Sequence, residues 1–329
     1  MFRALVLEKE GDAAVAHLRE LEDSALPAGD VTVAVEYSTL NYKDGLALSP
    51  TGGGIVRAYP HVGGIDFAGT VETSSDGRYK PGDKVVLTGW RVGEARWGVF
   101  ATRARVEADW LVPLPKAFST RTAMVLGTAG LAAMLAINRL QGEGSKSTDG
   151  EVLVTGAGGG VGTIAVLLLA RLGYKVAALT GRPELAERLT TLGASRIVSR
   201  EEVLTPTGKV LDKEAWRAVV DTVGGPLLGE VLKKVRYGGW VAAVGNAGGI
   251  KWEASVIPFI LRNISLLGVD TVMQPYEARM AAWDRLTTLF PEACYEPFVR
   301  ENKLEDLPAA AATILKGGVS GRVIVNPRA

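Results

Sequence analysis

Between Val152 and Gly173 the chain reads VLVTGAGGGVGTIAVLLLARLG, and no other stretch limits the possible folds as strongly. The apolar run Val152 to Thr155 has the length of a buried strand. A glycine-dense turn, Gly156 to Gly162, follows, and Thr163–Leu172 reads as an apolar helix that stops at Gly173. Ala157, Gly159 and Gly162 stand at A-x-G-x-x-G spacing. Glycine there permits a tight turn, bare backbone beside a pyrophosphate and close helix–sheet packing. With Gly158, Gly159, Gly160, Val161 and Gly162 at the mouth of the helix, its N–H groups and positive dipole end suit dinucleotide phosphates. A second strand, Lys175–Thr180, comes where a strand–helix–strand unit needs it.

The rest of the chain divides around this unit. Residues 1 to about 120 are β-rich, with strands expected at Ala4–Leu7, Val31–Tyr37, Thr70–Thr73, Lys84–Thr88 and Phe100–Val106, punctuated by Gly/Pro/Asp turns. Ser119–Leu140 reads as helix broken at Gly127 and Gly130. From Glu151 strands and helices alternate, with further strands at Arg196–Ser199, Ala218–Thr222, Trp240–Val244 and Ser265–Val269. Six strands in this order predict a doubly wound parallel sheet, so the class is α/β with a second, β-rich domain. A helix at Tyr276–Phe290 follows, then a helix at Pro308–Lys316 and a last strand, Arg322–Val325, which suggests a return to the first domain.

Composition excludes several roles. With 37 basic against 36 acidic residues in 329, no long-range field recruits nucleic acid or a membrane. No apolar run is expected to reach membrane-spanning length, and MFRALVLEKEG is too short and too charged for a signal peptide. The single cysteine, Cys294, suits a reducing cytoplasm, and with only His17 and His61 beside it a Cys/His zinc site is not expected.

Several motifs together resemble the medium-chain dehydrogenases/reductases: Asn41–Asp44, Gly63–Gly69, Pro81–Val85, Gly127–Gly130 and Ala157–Gly162. The resemblance implies a GroES-like β-rich catalytic domain, residues 1–120 and 294–329, split by a Rossmann NADPH-binding domain, residues 121–293. The missing Cys and His ligands make the chain similar to the zinc-free quinone oxidoreductase branch. Gly89–Glu94 with Trp97-Gly98, and Ile257–Asn263 with Leu267–Asp270, are similar to the acryloyl-CoA reductase subfamily.

The cofactor is read at the end of the second strand. An NAD enzyme usually carries an acid there; this chain has Thr180-Gly181-Arg182, and Arg200 follows the third strand. A hydroxyl and guanidinium groups accept a 2′-phosphate that a carboxylate would repel, so NADPH is expected over NADH. By the resemblance, Tyr42 and Thr128 lie near the nicotinamide; Asn246 follows the fifth strand and Thr271 the sixth; Ile260 and Arg322 carry over from the subfamily alone. The implied reaction is conjugate hydride transfer to an α,β-unsaturated acyl-CoA thioester, with Tyr42 as proton donor or relay. Lys43 and Asp44 could form a structural ion pair, and Arg57, Arg91 and Arg96 are available to rim the outer cleft. A quinone or enone reductase and a non-catalytic NADPH-binding protein are the competing readings. A homodimer is expected, paired through Ser265–Val269.

Overall fold

The computed structural model describes residues 1–329. The chain forms two compact units: Met1–Thr128 with Thr271–Thr287 and Glu296–Ala329, and Ala129–Asp270 with Thr288–Tyr295.

The first unit holds two sheets. A hairpin, Phe2–Glu10 with Ala13–Leu21, pairs with the short strand His61–Val62. The sequence reading found only the centre of the first of these strands and missed the second, whose burial is mixed rather than alternating. The larger sheet is ordered Val299–Asn302, Arg322–Val325, Val31–Leu40, Asp66–Ser74, Lys84–Thr88, Leu111–Pro113, with Arg103–Val106 also on Val31–Leu40. The last strand of the chain thus pairs antiparallel with the third, Val323 opposite Leu40 and Ile324 opposite Thr39. That register delivers Arg322 to the loop that begins at Asn41. Val33, Val35, Phe67, Val85 and Leu87 form the main core of this unit.

Thr271–Thr287 belongs to the first unit, where the sequence reading had kept it with residues 121–293. Its helix, Tyr276–Leu289, buries Arg279, Ala282, Trp283 and Leu286, and Trp283 meets Phe118 edge-on with ring centroids 6.4 Å apart. The spacing i, i+3, i+4, i+7 places an arginine on the buried stripe of that helix.

The second unit is a six-stranded, wholly parallel sheet ordered Arg196–Ser199, Lys175–Thr180, Glu151–Val154, Trp216–Asp221, Val235–Ala243, Ser265–Gly268. The order reverses between Lys175–Thr180 and Trp216–Asp221, on either side of the first strand. Ligands of doubly wound sheets bind at the carboxyl ends of the strands at such a point. Strand residues such as Leu153, Ala177 and Val219 are buried completely, as strands covered on both faces require.

Thr120–Gly142 has the length and, at a mean hydropathy of 1.5, the composition of a membrane-spanning helix, which corrects the expectation that no run reaches that length. It is a buried helix, 83% of its most apolar window being inside the protein, and Gly127 breaks it with φ 50° and ψ −151°. Gly130, the other expected break, lies within regular helix.

Candidate active site

In the first unit the site grows from the end of strand Val31–Leu40. Asn41 caps the short helix Tyr42–Ala47, and Asp44 reaches back, its Oδ2 accepting from the Asn41 backbone N–H at 2.7 Å. Asn41 Nδ2 donates to Asp44 Oδ2 at 3.1 Å and to both carboxylate oxygens of Asp66 at 3.2 Å. Arg322 donates through Nη1 to Asn41 Oδ1 (3.2 Å), through Nη2 to Thr39 Oγ1, and through Nε to Val125 O (3.0 Å). The Thr128 N–H donates to Asp66 Oδ2 at 2.7 Å. Gly127 makes that last bond possible. A Cβ there would sit 2.7 Å from Asp66 Oδ2 and 2.7 Å from Thr39 Cγ2, and its φ/ψ pair is one that only glycine adopts readily.

The network holds two fully buried carboxyl groups around one guanidinium. Burial, then the neighbouring Asp66, pushes the Asp44 carboxyl up to about 8. Burial also raises Asp66, while Arg322 and the donors from Thr128 and Asn41 pull it down. Both carboxyls are thus held above the ordinary carboxylate range, Asp44 at about 8.

This arrangement narrows the chemistry of the Asn41–Asp44 loop. Asn41 is occupied, Asp44 is sealed from solvent, and Lys43 is paired with Glu94 at 2.9 Å rather than with Asp44. Tyr42 is half-buried and its hydroxyl makes no hydrogen bond within the protein, so it is the loop's one side chain open to an incoming molecule. Thr271, half-buried, accepts a hydrogen bond from the Arg279 guanidinium through its carbonyl at 3.2 Å. Arg322, 3% exposed, lies within the network.

In the second unit the glycine turn lies as expected between Glu151–Val154 and the helix Gly160–Arg171, with Gly159 at its N-cap in extended backbone. A Cβ on Gly162 would fall 2.2 Å from Gly156 O, and one on Gly158 2.5 Å from Leu185 Cδ1. Gly160 and Val161, half-buried, begin the helix. Thr155 and Asp221 brace the turn, Thr155 Oγ1 donating to Asp221 Oδ1 at 2.6 Å and the Gly224 N–H to Asp221 Oδ2 at 2.8 Å. Sequence reading missed this pair, because a polar residue at the end of an apolar strand carries no periodic signal.

At the end of the neighbouring strand Thr180 is buried and its Oγ1 accepts from the Arg182 N–H at 3.1 Å. Arg182 Nη2 lies against the glycine turn, donating to Gly158 O at 3.1 Å. Gly181 lets Arg200 come close: a Cβ there would be 3.0 Å from the Arg200 Cζ. Burial, then Arg188 and Arg200, pull the Arg182 guanidinium below its ordinary value, against an opposing Glu184. Three cations with one carboxylate form a place that favours a bound anion. The bare glycine cradle and this cationic strand end fit a dinucleotide with a 2′-phosphate. Asn246 and Ile260, 67% exposed in the latter case, lie elsewhere in the unit, Asn246 after strand Val235–Ala243 and Ile260 in the helix Ile257–Arg262.

No three His, Cys, Asp or Glu side chains are grouped so as to hold a metal ion. His17 bonds Glu10 at 2.7 Å, His61 is buried in the strand opposite Leu7, and Cys294 is exposed in the second unit. These residues do not fit a zinc site.

A β-rich unit closed by the chain's last strand, together with a parallel sheet carrying a glycine turn, defines the class of two-unit nucleotide-dependent oxidoreductases. The alcohol dehydrogenase GroES-like domain matches residues 27–116 and the zinc-binding dehydrogenase family matches residues 160–287. Acrylyl-CoA reductase AcuI of Ruegeria pomeroyi is 56% identical over 331 residues, covering 100% of both chains. The yhdH oxidoreductase of Salmonella enterica, solved with NADP, is 49% identical with a TM-score of 0.96, over 99% of this chain and 100% of that one. The Bacillus subtilis protein yhfP, solved with NAD bound, is 46% identical with a TM-score of 0.93, over 99% of each chain. The chain belongs to the medium-chain dehydrogenase/reductase family, in the branch that contains acrylyl-CoA reductase AcuI.

Proposed function

We propose that this protein reduces the C=C bond of acryloyl-CoA to propanoyl-CoA with NADPH. The observation that carries the reading is the 56% identity, over the whole of both chains, to a relative named for that reaction. Bound NADPH supplies the hydride, which goes to the β-carbon of the unsaturated thioester. Negative charge then grows on the thioester oxygen, and a proton reaches the α-carbon. A preorganised donor at such an oxygen contributes about 2.7–4 kcal/mol. Tyr42 is the candidate, as the loop's free hydroxyl, donating a hydrogen bond to that oxygen or a proton to the α-carbon.

Gly158, Gly159, Gly160, Val161 and Gly162 receive the pyrophosphate, and Thr180, Gly181, Arg182 and Arg200 receive the 2′-phosphate. The preference for NADPH rests on these arginines and on the NADP in the Salmonella structure; the NAD in the Bacillus structure makes cofactor choice worth measuring directly. Thr128, Asn246, Ile260 and Thr271 contact the nicotinamide half. Arg322 acts through the Asn41 loop, given its donors to Asn41, Thr39 and Val125. The protein works in the cytoplasm as a homodimer. The edge strand Ser265–Gly268 offers unpaired backbone, and Val256 and Leu261, at the start and within the helix that precedes it, are exposed, which supports pairing of two copies there.

NADPH oxidation with acryloyl-CoA, with a simple quinone and with neither tests the reading. Turnover with acryloyl-CoA is expected. Turnover with the quinone alone makes the protein a quinone reductase, and none with either makes it a binding protein.

A further inference from the structure

The loop Gly89–Gly98 has an unusual backbone. Trp90 and Arg91 are consecutive residues in the left-handed region, at φ 57° and 59°, and the only other non-glycine residue with positive φ is Asn263. Left-handed backbone is ordinarily left to glycine or asparagine, so two bulky residues in succession persist only where their surroundings impose it.

Arg279 is what imposes it. Its guanidinium, 1% exposed, donates to Thr88 O (2.8 Å), Thr88 Oγ1 (2.9 Å), Val272 O (2.8 Å), Thr271 O (3.2 Å) and Gln274 O (3.0 Å). The same group lies 4.9 Å from the centroid of the Trp90 ring, and the Trp90 backbone N–H donates to Val272 O at 2.9 Å. Farther along, Glu94 pairs with Lys43, the neighbour of Tyr42. The loop is thus braced on both sides of Arg91, and its far brace reaches the Tyr42 helix.

Between the braces Arg91 is exposed; its carbonyl accepts from the Glu94 and Arg96 backbone N–H groups, both at 3.2 Å, and its guanidinium makes no hydrogen bond or ion pair to the protein. Arg96, by contrast, stacks on Trp110 at 4.5 Å from the ring centroid. Arg57 is exposed on a loop without any such brace. The backbone under Arg91 is set before binding, on a loop that Glu94 ties to the Tyr42 helix, and its guanidinium, engaged by nothing in the protein, is available to a phosphate that arrives with the substrate.

We propose that Arg91 is the specificity-determining residue for the phosphate-bearing part of the acyl-CoA thioester, with Arg279 as its positioning residue. The proposal rests on the acyl-CoA reading given above. The phosphate could also be one of NADPH's own, so the test separates the two sources. Kinetic constants are measured for the wild type, Arg91→Gly and Arg91→Lys with acryloyl-CoA, with acryloyl-pantetheine and with varied NADPH. Arg91→Gly suits the left-handed backbone and so preserves the fold. It is expected to lose about ten-fold in kcat/KM for acryloyl-CoA, through KM, with acryloyl-pantetheine and the KM for NADPH unchanged. Arg91→Lys is expected to recover part of the loss. Arg279→Lys keeps the charge but not the fan of donors, and is expected to raise the same KM with no further rise when combined with Arg91→Gly. An unchanged kcat/KM in Arg91→Gly, an equal loss with acryloyl-pantetheine, or a loss in the KM for NADPH overturns the proposal. A wild type that does not reduce acryloyl-CoA overturns the parent reading; an active wild type with an indifferent Arg91→Gly overturns this one alone.

Discussion

Replacing Asp44 by asparagine should remove a pH dependence from the stability of the first unit. Asp44 is fully buried, its Oδ2 accepts two N–H bonds from Asn41, and its Oδ1 has no partner. The charges that face it are Asp66, Lys43 and, across Asn41, Arg322. Burial and Asp66 hold its carboxyl at about 8, against about 3.9 in an unfolded chain. Between those values the folded protein binds a proton that the unfolded chain does not. Stability therefore falls as pH rises through this window and levels off above it. For one site titrating at about 8, the loss between pH 6 and pH 8 is roughly 2 kcal/mol, or about 4–8 °C in Tm for a unit of this size. Asparagine keeps the acceptor for Asn41 and cannot ionise. Thermal unfolding of both proteins at pH 6, 7, 8 and 9, at constant ionic strength, should show the decline in the wild type and a flatter line in Asp44→Asn. Parallel lines would refute a raised Asp44 carboxyl as the source of the decline.

Tyr42→Phe should lower kcat by roughly 10²–10⁴-fold if the hydroxyl delivers or relays the proton, with NADPH affinity retained; unchanged turnover would leave Tyr42 a packing residue. Arg182→Asp should reduce kcat/KM for NADPH by about 10–100-fold while sparing NADH, because it removes a charge-assisted contact and adds a repelling one. A preference that stays the same would mean that Arg200 and Thr180 suffice or that the phosphate binds elsewhere, and Arg200→Ala would distinguish the two. Gly127→Ala should destabilise the protein by about 1–3 kcal/mol or more, since its backbone is strained for any side chain and a Cβ meets Asp66 at 2.7 Å. A melting temperature within a degree of wild type would show that Asp66 and Thr128 can part without cost.

The local features were legible because local rules produce them. The strand–glycine turn–helix at 152–173 follows from an apolar run, a run of glycines and a helical run in succession, and Arg196–Ser199 and Arg322–Val325 were read to the residue. The absence of an acid at Thr180–Arg182 likewise needs no tertiary information. What the sequence could not set was which distant residues meet. Asn41, Asp66 and Arg322 are 25 and 281 positions apart along their hydrogen bonds, and only the pairing of Asp66–Ser74 and of the last strand with Val31–Leu40 brings them together. The same holds for Arg279, which is 191 positions from Thr88. The sequence showed a helix there but not that Arg279 is buried in it, and its partners, the carbonyls of Thr88, Thr271, Val272 and Gln274, became neighbours only through sheet and loop packing. Burial of charge decides the rest, because an aspartate's proton affinity depends on what surrounds it, and packing alone supplies that. The sequence by itself determined that a dinucleotide cradle exists and which phosphate its rim favours. The tertiary structure decided that Asp44 is buried beside a second carboxyl, that Tyr42 is the open group of its loop, and that Arg91 stands exposed on a left-handed turn.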